Sequence, residues 1–160
     1  MNNLLEKDTV KRVEFFLKKF NPNLKIIILK KTARTARDAA SSLKCNLGAI
    51  IKSLVFKSNG DFVICLVSGD KKCSLNKLKK ILFKKNLSMA NADEVKKITG
   101  FSIGGVAPVA HLKKLNIFID KSLKRFDFVY GAAGHPDCVF KISYNDLVKM
   151  TNGLEQEIIE

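Results

Sequence analysis

Three short stretches carry residue types and spacings suited to chemistry on a carbonyl or a phosphate. In "AIIKSLVF" (49–56), two-residue alternation puts Lys52 on the face of Ile50, Leu54 and Phe56, while Ile51 and Val55 make the opposite face apolar as well. An unpartnered buried ammonium is costly, so Lys52 either snorkels to the rim of a sheet or points into a polar pocket that uses it. In "GGVAPVAH" (104–111), two of the chain's nine glycines and one of its three prolines fall within five residues. Glycine opens backbone angles that other residues avoid and proline fixes its own φ, so Gly104, Gly105 and Pro108 specify one backbone path. That path either only connects two elements or carries backbone N–H groups close to a ligand. In "YGAAGHPDCVF" (130–140), Gly134, His135 and Asp137 fall in a turn between two strong strands. Scaffolds commonly carry functional side chains in such turns, and a plain hairpin loop has the same composition.

Other chemistries are disfavoured. There is no GxSxG elbow and no GxxxxGK[ST] loop, so neither a serine hydrolase nor a nucleoside-triphosphatase is indicated. The cysteines at 45, 65, 73 and 138 form no CxxC pair, and only His135 lies near one of them. No metal or cofactor is expected, and the thiols read as buried core residues.

The 160 residues, 46% of them hydrophobic, suit one domain spanning 1–160. No apolar run approaches the roughly 18 residues of a membrane span, and "MNNLLEKDTVKRVEFFLKKF" is charged throughout, unlike a signal peptide. A cytoplasmic protein with no membrane partner is expected. The formal net charge is +14, nearly all from lysine. Either a compositional bias or a polyanionic partner accounts for it, and runs such as "KSLKRF", with Lys121, Lys124 and Arg125, spread the charge over several elements. No zinc finger, aromatic RNA-binding strand or GXXG junction is present.

The elements that must position these residues alternate. Leu5, Val13, Phe16, Leu17 and Phe20 recur at helical spacing until "NPN" (21–23), and the strand-like "LKIIIL" follows. A small-faced helix is predicted after Thr35. Residues 49–57 and 62–68 form a hairpin about "SNGD". "SLNKLKKILFKK" is an amphipathic helix, and "NADEVKKITG" a short one with Asn91 and Glu94 at capping-box spacing and Gly100 at its end. Strands at "NIFID", "FDFVYG" and "CVFKI" precede a helix from Ser143 that stops near Gly153. The result is a mixed α/β (α+β) domain in which hairpins and helices share one curled or barrel-like sheet with peripheral helices.

Taken in order, "TARDAASSL", the strand lysine of "AIIKSLVF", "GGVAPVAH", "AAGHPDCVFKI" and "DLVKMT" resemble the YbaK/prolyl-tRNA synthetase-associated editing domain family over 32–151. The resemblance implies an aminoacyl-tRNA deacylase that hydrolyses mischarged tRNA, with the acceptor end of tRNA as partner and association with a synthetase. It implies that Lys52 positions the 3′-terminal adenosine or the ester. Gly104, Gly105 and Pro108 would present backbone N–H groups to the oxyanion of a tetrahedral intermediate, with water or a substrate group as nucleophile. Gly134, His135 and Asp137 would border the amino-acid pocket, His135 as wall, hydrogen-bonding group or structural turn residue. Thr32 and Thr35 match variable polar positions near the site. The implied substrates carry alanine, cysteine or a similarly small residue, on tRNA for proline. A non-catalytic RNA-binding or regulatory protein retaining the fold is the alternative.

Overall fold

Residues 51–58 and 61–68 form the antiparallel hairpin that organises the structure, a computed structural model describing residues 3–160. Strand β2 (Ile51–Ser58) pairs with β3 (Asp61–Ser68) from Ile51–Ser68 to Ser58–Asp61. The two-residue turn is Asn59-Gly60, with φ of 50° and 91°, the left-handed pair that matches strand twist in a tight hairpin. Before it lie α1 (Asp8–Phe20), the short β1 (Ile27–Ile28) and α2 (Ala36–Leu43). After it come α3 (Leu75–Leu82), β4 (Ser88–Met89), α4 (Ala92–Thr99), β5 (Asn116–Asp120), β6 (Phe128–His135), β7 (Cys138–Ser143), α5 (Tyr144–Thr151) and β8 (Leu154–Gln156).

The strands make two sheets rather than one. One has the order β4-β2-β3-β5-β8, with β5 parallel to both β3 and β8, and the other the order β1-β7-β6. They meet at a single parallel bridge, Ile50–Tyr130. The expected mixed α/β architecture is present, but no barrel closes: the two sheets are joined only by that bridge among the described residues, and a cavity is lined by both β2 and β6.

Strand β3 is buried on both faces, as its unbroken apolar run requires. Ile64 and Leu66 join the main core with Val10, Val13 and Leu17 of α1, while Val63, Cys65 and Val67 pack under Leu78 of α3. A third cluster seats Ala39 and Ala40 of α2 against Ile50 and Val139. On α1 the buried stripe is narrower than the sequence pattern, since Phe16 and Phe20 remain 36% and 37% exposed. Cys65 and Cys138 are buried, whereas Cys45 and Cys73 are only half-buried, so the expectation of four core thiols holds for two.

Local signals fix the helix ends. Asn91 Oδ1 accepts from the Glu94 amide at 2.8 Å while Glu94 Oε1 accepts from the Asn91 amide at 2.9 Å, and Gly100 closes α4 at φ 83°. Thr35, Ser74 and Ser143 cap α2, α3 and α5 one way only, each side-chain oxygen accepting from the amide three residues on. The stretch 132–135, read from sequence as a turn, belongs to β6, and the turn shrinks to Pro136-Asp137. The small residues there let a strand run where α1 and the 104–108 loop both press close.

Gly60 and Gly134 separate two reasons for glycine. Both hold positive φ, 91° and 88°, but a Cβ on Gly60 meets nothing within 4 Å, whereas one on Gly134 would lie 2.6 Å from the Thr9 carbonyl oxygen. We expect Gly60→Ala to cost about 1–2 kcal/mol from backbone strain alone and Gly134→Ala clearly more. Urea unfolding of the two variants checks this, and equal losses would show that the Thr9 contact yields freely.

Candidate active site

The cavity between β2 and β6 has a volume of about 210 Å³. Its floor is Ile50 and Ile51–Leu54 of β2, one wall is Ala33–Ala36 with Ala39, another is Ile103, Gly104 and Val106, and Tyr130, Ala132, Pro136 and Val139 complete it. The strand lysine, the glycine loop and the start of α2, far apart in sequence, are thus brought together.

Lys52 lies at this cavity, half-buried, and its Nζ donates to the carbonyl oxygen of Lys71. Burial pushes its pKa down, and the nearby Asp70 carboxylate works against that shift. The adjacent Ser53 was not singled out by sequence reasoning. Its Oγ is buried without a hydrogen-bond partner, and an unmade bond there costs free energy unless a ligand supplies it. Ser53 also lines a smaller side cavity of about 70 Å³ reaching Met89, Ala90 and Val95. The only sequence signal for it was its place beside Lys52.

The 104–108 loop is held by backbone contacts. The Gly105 amide donates to Ser102 O at 3.0 Å, and Gly105 O accepts from the Gly134 amide at 3.0 Å. A Cβ on Gly105 would fall 2.9 Å from the backbone of His135, so the close approach that demands glycine here is to β6. Gly104, at φ 93°, is the glycine that faces the cavity. Among the described residues the amides of Gly104 and Val106 donate to no protein acceptor. Pro108 is buried and does not line the cavity; it packs over Gly131.

Arg12 anchors the far side of this loop. Its Nε donates to Ala110 O at 2.9 Å, its guanidinium to Thr99 O at 3.0 Å, and it stacks 4.4 Å above the Phe101 ring. His111 Nε2 donates to Ala107 O at 2.7 Å, which places the proton on that nitrogen.

Asp137 works as a clamp: its Oδ1 accepts from the Ala33 amide and its carbonyl from the Leu29 amide, both at 2.8 Å. These bonds hold the 29–33 segment, and with it one cavity wall, against the β6–β7 turn. His135 Nδ1 accepts from the Asp137 amide at 3.0 Å. The ring is not among the lining groups, and Pro136 beside it is. Thr35 lines the cavity while its Oγ1 caps α2 at Asp38, 3.1 Å away; Thr32 is exposed outside it.

Lys121 and Lys124 are exposed on a 3-10 turn, Lys121–Arg125. Arg125 is bound inward, to Asp70 Oδ1 and Ser68 Oγ at 2.8 Å each, and holds the Asp70 carboxyl down at about 2. Among the described residues no three His, Cys, Asp or Glu side chains converge in a metal-binding arrangement. No helix among them is long and apolar enough to cross a membrane.

The sequence pattern described as "Aminoacyl-tRNA editing domain" matches residues 30–150, which supply every wall of this cavity. The chain belongs to the aminoacyl-tRNA editing domain family. It is 31% identical over 140 residues to the uncharacterized protein YwhH of Bacillus subtilis, covering 87% of this chain and 88% of that one. It is 38% identical over 99 residues to the proline–tRNA ligase of Thermosipho africanus, covering 61% of this chain and only 18% of the ligase. A crystal structure of a protein proposed as a trans-editing enzyme for prolyl tRNA synthetase superposes with a TM-score of 0.91 at 32% identity, over 96% of this chain and 98% of that one. The editing-domain fold is therefore present essentially whole.

One titration tests how the 104–108 loop is held. Burial pushes His111 below its ordinary 6.5, so the folded state favours the neutral ring. The unfolded chain then takes up the proton first as pH falls; this contribution is full above about 6.5 and is lost as pH drops through the lower folded value. His111→Gln, which keeps a donor, should flatten the stability–pH curve just below 6.5. An unchanged curve would show that His111 does not titrate with unfolding.

Proposed function

We propose that the chain is a trans-acting aminoacyl-tRNA deacylase, hydrolysing the ester of tRNA for proline that carries alanine, cysteine or a similarly small residue. The observation that carries this reading is the convergence on one small cavity of a half-buried lysine, a glycine loop with unengaged amides and an unpartnered serine hydroxyl.

In this reading the amides of Gly104 and Val106 receive the carbonyl oxygen and stabilise it as it becomes an oxyanion. Lys52 leaves the Lys71 carbonyl to bind the terminal nucleotide, at a phosphate or a ribose oxygen. No protein nucleophile is required: an aminoacyl ester is already activated, so orientation and one polarised carbonyl suffice for attack by water or a substrate hydroxyl. The side cavity beside Ser53, about 70 Å³, has room for a small side chain and supports selection against bulky ones. His135 would act indirectly, by fixing the turn that presents Pro136. The enzyme would work in the cytoplasm, on mischarged tRNA released by a synthetase or still associated with one.

Lys52→Ala should reduce deacylation of alanyl- or cysteinyl-tRNA by about a hundredfold or more, roughly 2.7 kcal/mol of transition-state stabilisation, with thermal unfolding little changed. Full activity in the folded variant would remove Lys52 from the mechanism. Absence of deacylation in the wild-type protein across a panel of mischarged tRNAs, with tRNA binding intact, would favour the non-catalytic RNA-binding alternative.

A further inference from the structure

We propose that the surface around the β2–β3 turn is an RNA-binding face, in which Phe83 stacks on an unpaired base and Lys79, Lys85, Lys97, Lys113 and Lys114 contact backbone phosphates. The inference rests on the reading above only in naming the RNA as tRNA.

Two adjoining clefts, of about 780 and about 470 Å³, share Ser58, Gly60 and Phe62. Seven lysines line them against two carboxylates, Asp61 and Glu94. Those two are taken, by Lys84 at 3.3 Å and Lys57 at 2.9 Å. The other five lysines have no acidic partner within 4.0 Å among the described residues. They stand on α3, on the segment after it, on α4 and on the segment before β5. Like charges gathered from four places repel one another, and a polyanion relieves that repulsion.

The arrangement favours a phosphate chain over a single small phosphate. A site for one anion is built from a rigid fork or converging amides. Here the groups are flexible lysine ammoniums, four of the five exposed, which act as point charges along a strand.

Phe83 supplies an independent observation. Its ring is 93% exposed, and it ends α3 at φ 55°, a left-handed position that glycine ordinarily fills. A bulky residue there gains nothing from burial and carries backbone strain. Between Leu82 and Lys84, both lining the larger cleft, an outward aromatic ring beside lysines is the combination used to stack unpaired bases. Ser58 lies six residue steps along β2 from Lys52, about 20 Å at strand rise, within the span of a few unpaired nucleotides.

The test uses uncharged tRNA for proline as probe, so that it does not depend on catalysis. Phe83→Gly should raise thermal stability, because it relieves the helix end, yet weaken tRNA binding at least about fivefold. Lys97→Glu/Lys113→Glu/Lys114→Glu should lower the slope of log affinity against log salt by about 2–3. The matched control Lys18→Glu/Lys19→Glu/Lys25→Glu, with the same change in net charge, should lower it by less than 1. Unchanged binding by Phe83→Gly, equal loss in the two lysine triples, or a greater loss from Lys121→Glu/Lys124→Glu would each overturn the proposal. A wild-type protein that binds tRNA through this face but deacylates nothing would sink the proposed activity and leave this surface standing.

Discussion

Gly105 and Gly134 meet with no side chain between them, and the site is organised around that contact. The Gly134 amide donates to Gly105 O, Thr9 Oγ1 donates to Gly134 O at 2.9 Å, and neither glycine has room for a Cβ. Helix α1, strand β6 and the 104–108 loop are therefore locked at backbone distance. Arg12, one turn along α1 from Thr9, carries the lock on to Thr99 and Ala110 at the two ends of the loop region. The 104–108 loop, which lines the cavity at Gly104 and Val106, is thus fixed from behind, and fixed donors are what electrostatic stabilisation of a developing charge requires.

This lock also explains what was legible in the sequence. Local signals were read correctly because they act over a few residues: the Asn59-Gly60 turn, the Asn91–Glu94 capping box and the helix starts after Thr35 and Ser143 each rest on nearby backbone groups. Lys52 stood out because a charge interrupted a strand apolar on both faces. The long-range facts left no comparable trace. Arg12 looks like any surface arginine until its partners, 98 and 87 positions away, are known. Strand β8 is three residues, Leu-Glu-Gln, and exists only because β5 offers it an edge. The small residues 132–134 read as a turn by composition, yet they are the part of β6 on which α1 and the loop press.

The same distinction divides the candidate residues. Gly104, Lys52 and Thr35 reach the cavity; Gly105, Pro108, Gly134 and Asp137 build the frame around it. Sequence spacing identified the group but could not separate those that face a ligand from those that hold the scaffold, since both roles favour Gly, Pro and short polar residues in loops. Ser53 was invisible for a related reason: a serine in a strand is ordinary, and only an unpartnered buried hydroxyl distinguishes it.

The central claim is that the 104–106 amides and the Lys52–Ser53 pair together receive the aminoacyl end of a tRNA. Backbone amide chemical shifts recorded during titration with a non-hydrolysable 3′-alanylamino-adenosine test it most directly. The largest changes should fall on the amides of Gly104 and Val106 and on Lys52 and Ser53, with residues around Ser58 unmoved. Saturable binding whose shifts avoid the 104–106 loop would contradict the account.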